Sequence, residues 1–468
     1  MPGADQSPHR LIHDTMTSAY PIQKRTADLP SVVRLPNEQG YSELVRPFNL
    51  IAKQRPALVA APRTSAEVSE VVRFATDRQL RVAVQGTGHG ASVSLGDEVA
   101  LIATRHLDTV EIDADAGTAS VGAGTVWKSL ASIAADAGLA GLAGTASTVG
   151  VCGYVLGGGL GWLGRRHGLA SSSLIAVDYV DAAGEERHAG EADDPEALWA
   201  FRGGGGVGIV TRLRLQLWPH PTLYAGARFW PMEHLPAVVE RWLNVADSFP
   251  QEITSMVWSV NAPDASGLPE PIRSRAVVAL GACGTDVASA QAHLVDCFGP
   301  LPTPLFDSFA ERRPDQLGQI HLDPPVPVPV IGEARQLEDL DPTRAIAIMQ
   351  AAGIGDGVLT LVELRQLGGA LNRSQSDGAL TAMDGAFALI AVGTAPDPTG
   401  AAVVTERLAS LVREAAPVDL GRSIANLRSG RSHAPGALTE TNTRRLGRIQ
   451  RERDPSGQLS RAMGLTEP

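Results

Sequence analysis

Between residues 55 and 219 the chain carries three separate glycine-rich loops, at 86 to 90, 144 to 161 and 203 to 208, and each adjoins a segment that reads as a strand. Glycine lets a backbone approach an anion closely and presents its N–H groups unobstructed. Three such loops in one domain point to a backbone that closes around a long polyanionic ligand, and a dinucleotide is the economical reading. Tight turns alone would also use glycine, so a purely structural role stays open. A nicotinamide-dinucleotide site needs GxGxxG opening a helix in the first βαβ unit, with an acidic residue about 20 positions on. Gly86-Thr87-Gly88-His89-Gly90 has neither that spacing nor a following helix, because SVSLGDEVALIAT reads as turn and strand.

The loops sit in a regular text. LVAAP reads as a strand, SAEVSEVVRFATDRQL as an amphipathic helix with Ser65 placed to cap it, and RVAVQ as a buried strand, which makes a βαβ opening. VALIAT is a further strand. TVEIDADAGTASVGAG and IAVDYVDAAGEERHAG alternate like hairpins, and a helix is expected from about Thr125 to Ala137. From His220 onward the strand and helix candidates are longer and better separated, which fits a second α+β unit built on an antiparallel sheet. The expected division is an N-terminal arm and lead-in over 1–54, the glycine-loop domain over 55–219, the second unit over 220–417, and a C-terminal segment, 418–468, that packs back on the first.

Composition narrows the function classes. Lys+Arg 40 against Asp+Glu 51 gives a net charge of -11, and no basic block stands out, so a nucleic-acid partner is not expected. Cys152, Cys283 and Cys297 form no CxxC pair with zinc spacing, and no metal constellation is expected. The first thirty residues contain no apolar run of signal-peptide length, and nowhere are there 18 consecutive apolar residues without charge, which predicts a cytoplasmic protein without membrane contact.

The order RPALVAAPRTSAEVSEVVRFATDRQLRVAVQGTGHG, GTASTVGVCGYVLGGGLGWLGRRHGLA, LWAFRGGGGVGIVT and a terminal RLGRIQRERDP resembles the vanillyl-alcohol-oxidase, or PCMH-type, flavoproteins. Within these it is most similar to the berberine-bridge-enzyme-like and 6-hydroxy-D-nicotine-oxidase-like branch. The resemblance covers about 55–219 and 360–468. It implies an α+β fold: a PCMH-type FAD-binding domain of two α/β subdomains, and a substrate domain whose antiparallel sheet is flanked by helices.

The resemblance also implies FAD, joined in many members through its 8-methyl carbon to the histidine of a Gly-Gly-His loop, here His89. Such a link makes the flavin a stronger oxidant and prevents its loss. Two positions depart from the family pattern: Gln85 stands where arginine is usual, and Thr87 replaces one of the paired glycines. Ala146 occupies the place of a second, cysteinyl link, so a single bond is expected. The cofactor-binding set implied is His89 with Gln85, Gly86, Thr87, Gly88, Gly90 and Ala91; Thr145, Ala146, Val149, Gly150, Gly153, Gly158 and Gly159; and Gly208 and Val210. Val149 matches the family's oxygen gate, where valine leaves room for O2. Cys152 reads as a packing residue.

On the substrate side the family uses three strands, here Val362 to Gly369, Phe387 to Thr394 and Ser423 to Leu427. Glu363 and Arg365 share a face by period-two alternation, and either pair with one another or present a polar wall. FALIAVGTA carries no ionisable group. No tyrosine lies in the terminal region; Asn426 resembles an asparagine of amine-oxidising relatives, and Tyr154 lies in the flavin-side segment. The catalytic candidates are therefore Glu363, Asn426 and Tyr154. His433 reads as a surface residue. An alcohol substrate needs a base as hydride leaves, whereas a neutral amine does not. The expected function is an oxidase of a small amine, alcohol or secondary metabolite that passes electrons to O2 and releases H2O2, as a monomer or homodimer. A flavin-dependent oxygenase or cyclase, and a non-catalytic flavin-binding protein, are the alternatives.

Overall fold

A computed structural model describes residues 29–428 and 436–459. In the first unit, Leu58–Ala60 and Arg81–Gln85 both run parallel to Val99–Ala103, which lies between them, while Val33–Arg34 closes the edge antiparallel. The βαβ opening thus has a third strand inserted between its two. Its helix, Ser65–Asp77, buries Val68, Val71, Val72 and Ala75 along one stripe. The cap is Thr64 rather than the expected Ser65: Thr64 Oγ1 accepts from Glu67 N–H at 3.2 Å, and Glu67 accepts from Thr64 N–H at 3.2 Å. Ser65 instead donates to Glu186 at 2.7 Å.

A second, antiparallel sheet orders Val110–Asp113, Thr118–Gly122, Ile209–Gln216, Leu174–Val180 and Glu186–Ala189. Both expected hairpins are in it, and their turns place Gly117 and Gly184 at positive φ.

The second unit is one large antiparallel sheet. Its central strands run in the order Leu223–Pro231, Ala276–Gly284, Ile253–Asn261, Leu361–Gln366, Phe387–Thr394, Val330–Leu337 and Asp419–Ser423. One face packs against the helices Leu235–Ala246, Val287–Phe298, Pro342–Ala351 and Pro398–Ala415. The other face, with Ala227, Phe229, Met256, Trp258, Ala388 and Ile390, joins the core of the glycine-loop unit. The sheet therefore supplies a wall for whatever the first unit holds.

Two buried arginines tie the units together. Arg165 donates to the carbonyls of Ile253 at 2.8 Å and Phe249 at 2.9 Å, and to that of Leu367. Arg365 reaches back to Leu160 O at 3.2 Å. The chain after 418 divides: Asp419–Ser423 is a strand of the large sheet, whereas the helix Glu440–Arg453 returns to the first unit. There Arg453 pairs with Asp194 at 2.6 Å, and Gln450 donates to Gly205 O at 3.2 Å. Among the described residues no helix is long and apolar enough to cross a membrane.

Candidate functional site

The site is built around the turn that follows Arg81–Gln85. Gln85 is buried and donates to Val45 O at 3.3 Å, a protein partner in place of an anion. Gly88 sits at φ +74°, and a Cβ there would lie 2.7 Å from Pro47 Cα, so neither the conformation nor the space admits another residue. The lead-in chain lies along this turn, with Phe48 N–H bonded to Thr87 O at 3.0 Å and Asn49 N–H to Gly88 O at 3.1 Å. Phe48 consequently stacks on the His89 ring, 3.6 Å between centroids and 13° from parallel. Ala91 N–H closes the turn on Gly88 O at 3.2 Å.

Among the described residues no protein acceptor meets the N–H groups of Thr87, Gly88, His89 and Gly90. A cluster of free N–H groups on a glycine turn is an anion-binding concavity. The space in front of it is open: a Cβ on Gly90 or Gly153 would meet nothing within 4 Å. These residues fit a bound dinucleotide.

The second glycine segment is laced to this turn. His89 Nε2 lies 3.0 Å from Thr148 Oγ1, and Gly150 N–H donates to Thr87 Oγ1 at 3.3 Å. Val149, between them, is half-buried, and its N–H meets Ala146 O at 3.4 Å. Burial lowers the His89 pKa to about 4, partly opposed by the charge of Asp323, so the imidazole is neutral at pH 7.

The rest of that segment has packing reasons for its glycines. Gly159 is at φ +77°, and a Cβ there would lie 2.5 Å from the Tyr154 ring; one on Gly158 would lie 3.0 Å from Leu380. Tyr154 is buried edge-on against Trp127, its hydroxyl has no hydrogen-bond partner among the described residues, and burial pushes its pKa up. Asn426 is a staple: its Oδ1 accepts from Gly159 N–H at 2.8 Å, while Nδ2 faces the carbonyls of Tyr154 at 3.2 Å and Gly153 at 3.4 Å. Burial pushes the Cys152 thiol up to about 12, which leaves it unreactive. In the third loop Gly208 is pressed against Tyr179, and Val210 is a buried residue of the strand paired to it.

Opposite lies the sheet. Glu363 and Arg365 do share a face and do pair, Arg365 Nε donating to Glu363 Oε1 at 2.6 Å. Glu363 stands between Trp258 and Ile390 on the neighbouring strands. Its second oxygen, Oε2, lies 3.1 Å from Nε2 of His321, whose Nδ1 lies 2.9 Å from Asp323 Oδ1. Both imidazole nitrogens face carboxylates, which accept only, so the ring is a cation. Burial opposes that charge, but Asp323 and Glu363 outweigh it and raise the His321 pKa to about 10. Burial would raise the pKa values of Glu363 and Asp323, and the cations beside them hold both low.

Sequence reasoning missed His321, Asp323, Phe48 and Arg165. His433 lies outside the described residues, and among those residues no three His, Cys, Asp or Glu side chains converge as a metal site.

Residues 56–190 match the FAD binding domain family. The (R)-6-hydroxynicotine oxidase of Paenarthrobacter nicotinovorans is 31% identical over 198 residues, 42% of this chain and 43% of that protein. The match therefore spans less than half of that relative's length. Among solved structures, berberine-bridge-enzyme-like 1 of Physcomitrella patens superposes with a TM-score of 0.79 over 93% of this chain and 96% of that one, at 19% identity. The grass pollen allergen Phl p 4 superposes with a TM-score of 0.75 over 92% of this chain and 96% of that one, at 18% identity; it is a glucose dehydrogenase as wild type and a glucose oxidase as an isoleucine-to-valine variant. Likeness at these identities establishes a shared fold.

Proposed function

Because the chain belongs to the FAD-binding flavoprotein family that includes 6-hydroxynicotine oxidase and the berberine bridge enzyme-like proteins, we propose that it is an FAD-dependent oxidase of a small organic amine or alcohol, with O2 as acceptor and H2O2 as product. The observation that carries this reading is the turn 87–90, whose N–H groups meet no protein acceptor among the described residues and adjoin a neutral, stacked His89. FAD bound there supplies a hydride acceptor and a site for reaction with dioxygen.

The protein's own residues have separable tasks. Thr87 to Gly90 hold the diphosphate. His89 is the attachment residue, and its neutrality leaves a ring nitrogen with the lone pair a covalent bond requires. Phe48 and Thr148 fix the ring in one orientation. Asn426 and Tyr154 shape the cofactor side of the site by holding and filling the glycine segment. Glu363, held by Arg365 and His321, is the charged centre of the substrate wall, and with both oxygens engaged it acts through position rather than as a free base. The single link follows from Ala146, which offers no thiol.

Val149 supports the oxidase reading over the dehydrogenase one, in keeping with the isoleucine-to-valine change that accompanies oxidase activity in the pollen protein. The test is to reduce the FAD-loaded protein anaerobically, mix it with air-saturated buffer, and measure flavin reoxidation and peroxide. Rapid reoxidation with one H2O2 per flavin is expected. Reoxidation no faster than that of a Val149→Ile variant contradicts the reading.

A further inference from the structure

The buried ionic array of the sheet meets the glycine segment 144–161 at both of its ends. At one end Arg365 Nη1 donates to Leu160 O at 3.2 Å. At the other, Asp323 stands against the Thr145 hydroxyl, which helps to keep its carboxyl ionised. Between these ends Arg365 meets Glu363 at 2.6 Å, Glu363 meets His321 at 3.1 Å, and His321 meets Asp323 at 2.9 Å. Leu322 is at φ +63°, a left-handed conformation that a bulky residue adopts only where its surroundings impose it, and this turn brings the side chains of His321 and Asp323 together.

Residues 145–149, where the array ends, are half-buried, so packing alone does not fix them. Two of their carbonyls are held by the start of the helix Trp127–Asp136: Trp127 N–H donates to Val149 O at 2.9 Å, and Lys128 N–H to Ser147 O at 2.8 Å. Gly318 presses on the same turn, where a Cβ would lie 2.8 Å from the Ser147 Cβ. The two threonine hydroxyls meet different partners. Thr145 faces Asp323, whereas Thr148 Oγ1 lies 3.0 Å from His89 Nε2. The charge of Asp323 reaches His89 as well. The sheet also holds the His89 ring through Phe48, because the adjoining Asn49 exchanges two 3.0 Å bonds with the backbone of Val330.

We infer that Asp323 is a positioning residue for flavin attachment: through Thr145 it fixes the 145–149 turn, and through Thr148 that turn aims the His89 ring. His321, Glu363 and Arg365 hold Asp323 ionised and in place. Asp323 Oδ2 is buried, which suits a carboxylate that holds protein groups and not a ligand. The inference rests on the flavoprotein reading above and deepens it. Attachment replaces one hydrogen of the flavin 8-methyl group and the ring N–H proton of His89 with a C–N bond; the two protons leave, the electron pair passes into the flavin, and O2 takes up both as H2O2. The array sets the geometry in which that exchange occurs.

The test has two readouts at pH 7, for wild type, Asp323→Asn, Thr145→Val and Thr145→Ser. The first is the imidazole 15N spectrum of the FAD-free protein, with His89→Ala assigning the His89 signals. A ring held in one tautomer keeps its two nitrogen signals far apart, and a freely exchanging ring brings them together. The second is the rate at which added FAD becomes resistant to acid extraction. In Asp323→Asn and Thr145→Val the two His89 signals are expected to converge and attachment to slow by about tenfold or more, the size of one lost hydrogen bond to a charged group. Thr145→Ser, which keeps the hydroxyl, is expected to restore both. Wild-type His89 signals or a wild-type attachment rate in either of the first two variants overturns the inference, as does a Thr145→Ser protein that behaves like Thr145→Val. Should Asp323→Asn fail to fold, the Thr145 pair decides. A protein that takes up no FAD fails the flavoprotein reading, and the imidazole spectra still decide whether Asp323 and Thr145 fix the ring; a loaded protein whose His89 ignores both residues fails only the present inference.

Discussion

His321 bridges two carboxylates, with Nδ1 2.9 Å from Asp323 and Nε2 3.1 Å from Glu363, and so carries a proton that it can lose only by breaking the array. Trp258, 4.9 Å away by ring centroid, covers one face of the ring, and the side chain is only 5% exposed. A buried cation in this setting links folding to pH.

The sign of that linkage is fixed by the raised pKa. With a folded value of about 10 against an ordinary 6.5, the contribution of His321 is complete below about pH 6.5 and is lost as pH rises toward 10. Melting temperature measured across this range is expected to fall more steeply for wild type than for His321→Gln. Parallel curves would mean that the ring is neutral in the folded protein.

Glu363→Gln removes the anion that separates His321 from Arg365. Breaking a buried array from one side costs about 3–5 kcal/mol, so the urea midpoint is expected to drop clearly, before any effect on turnover is considered. An unchanged midpoint would mean that Glu363 is a free group facing substrate, as a general base would be.

Two glycines of the same turn are expected to respond differently. Gly88→Ala meets Pro47 at 2.7 Å and an unfavourable φ, and loses stability with or without FAD, by about 1–3 kcal/mol. Gly90→Ala places its methyl in open space and keeps the stability of the FAD-free protein, yet loads less FAD. Melting curves and the flavin-to-protein ratio after gel filtration separate the two effects. Full loading of Gly90→Ala would remove that space from the cofactor site.

Val149→Ile adds one methylene to a half-buried position beside the Thr87 turn. Anaerobic reduction of the flavin is expected to keep its rate while reoxidation by O2 slows. Stopped-flow absorbance measures both, and equal slowing of both steps would point to a general repacking of the site.

Local patterns carried much of this architecture. The glycine turn, both hairpins and the shared face of Glu363 and Arg365 are written in short stretches of sequence, where periodicity and the need for a bare backbone leave few choices. What was not legible depends on contacts between distant segments. His321 sits in HLDPPVPVP, a proline-broken loop with no period, and its partner Glu363 is 42 residues on. Phe48 belongs to a lead-in that reads as an arm until its 3.6 Å stacking on His89 is seen. Asn426 reads by resemblance as an active-site amide, yet its hydrogen bonds go to a glycine segment 267 residues away. The cap shifted by one residue because Thr64 and Ser65 are both competent, and only the reach of Glu67 distinguishes them.

The central claim is that His89 carries the flavin. The most direct measurement is the intact mass of acid-denatured protein, freed of unbound cofactor, for wild type and His89→Ala. The account predicts wild-type protein heavier by one FAD and yellow in the acid pellet, with both features absent from the variant. A wild-type mass equal to that of the bare chain, with all flavin in the supernatant, would contradict it.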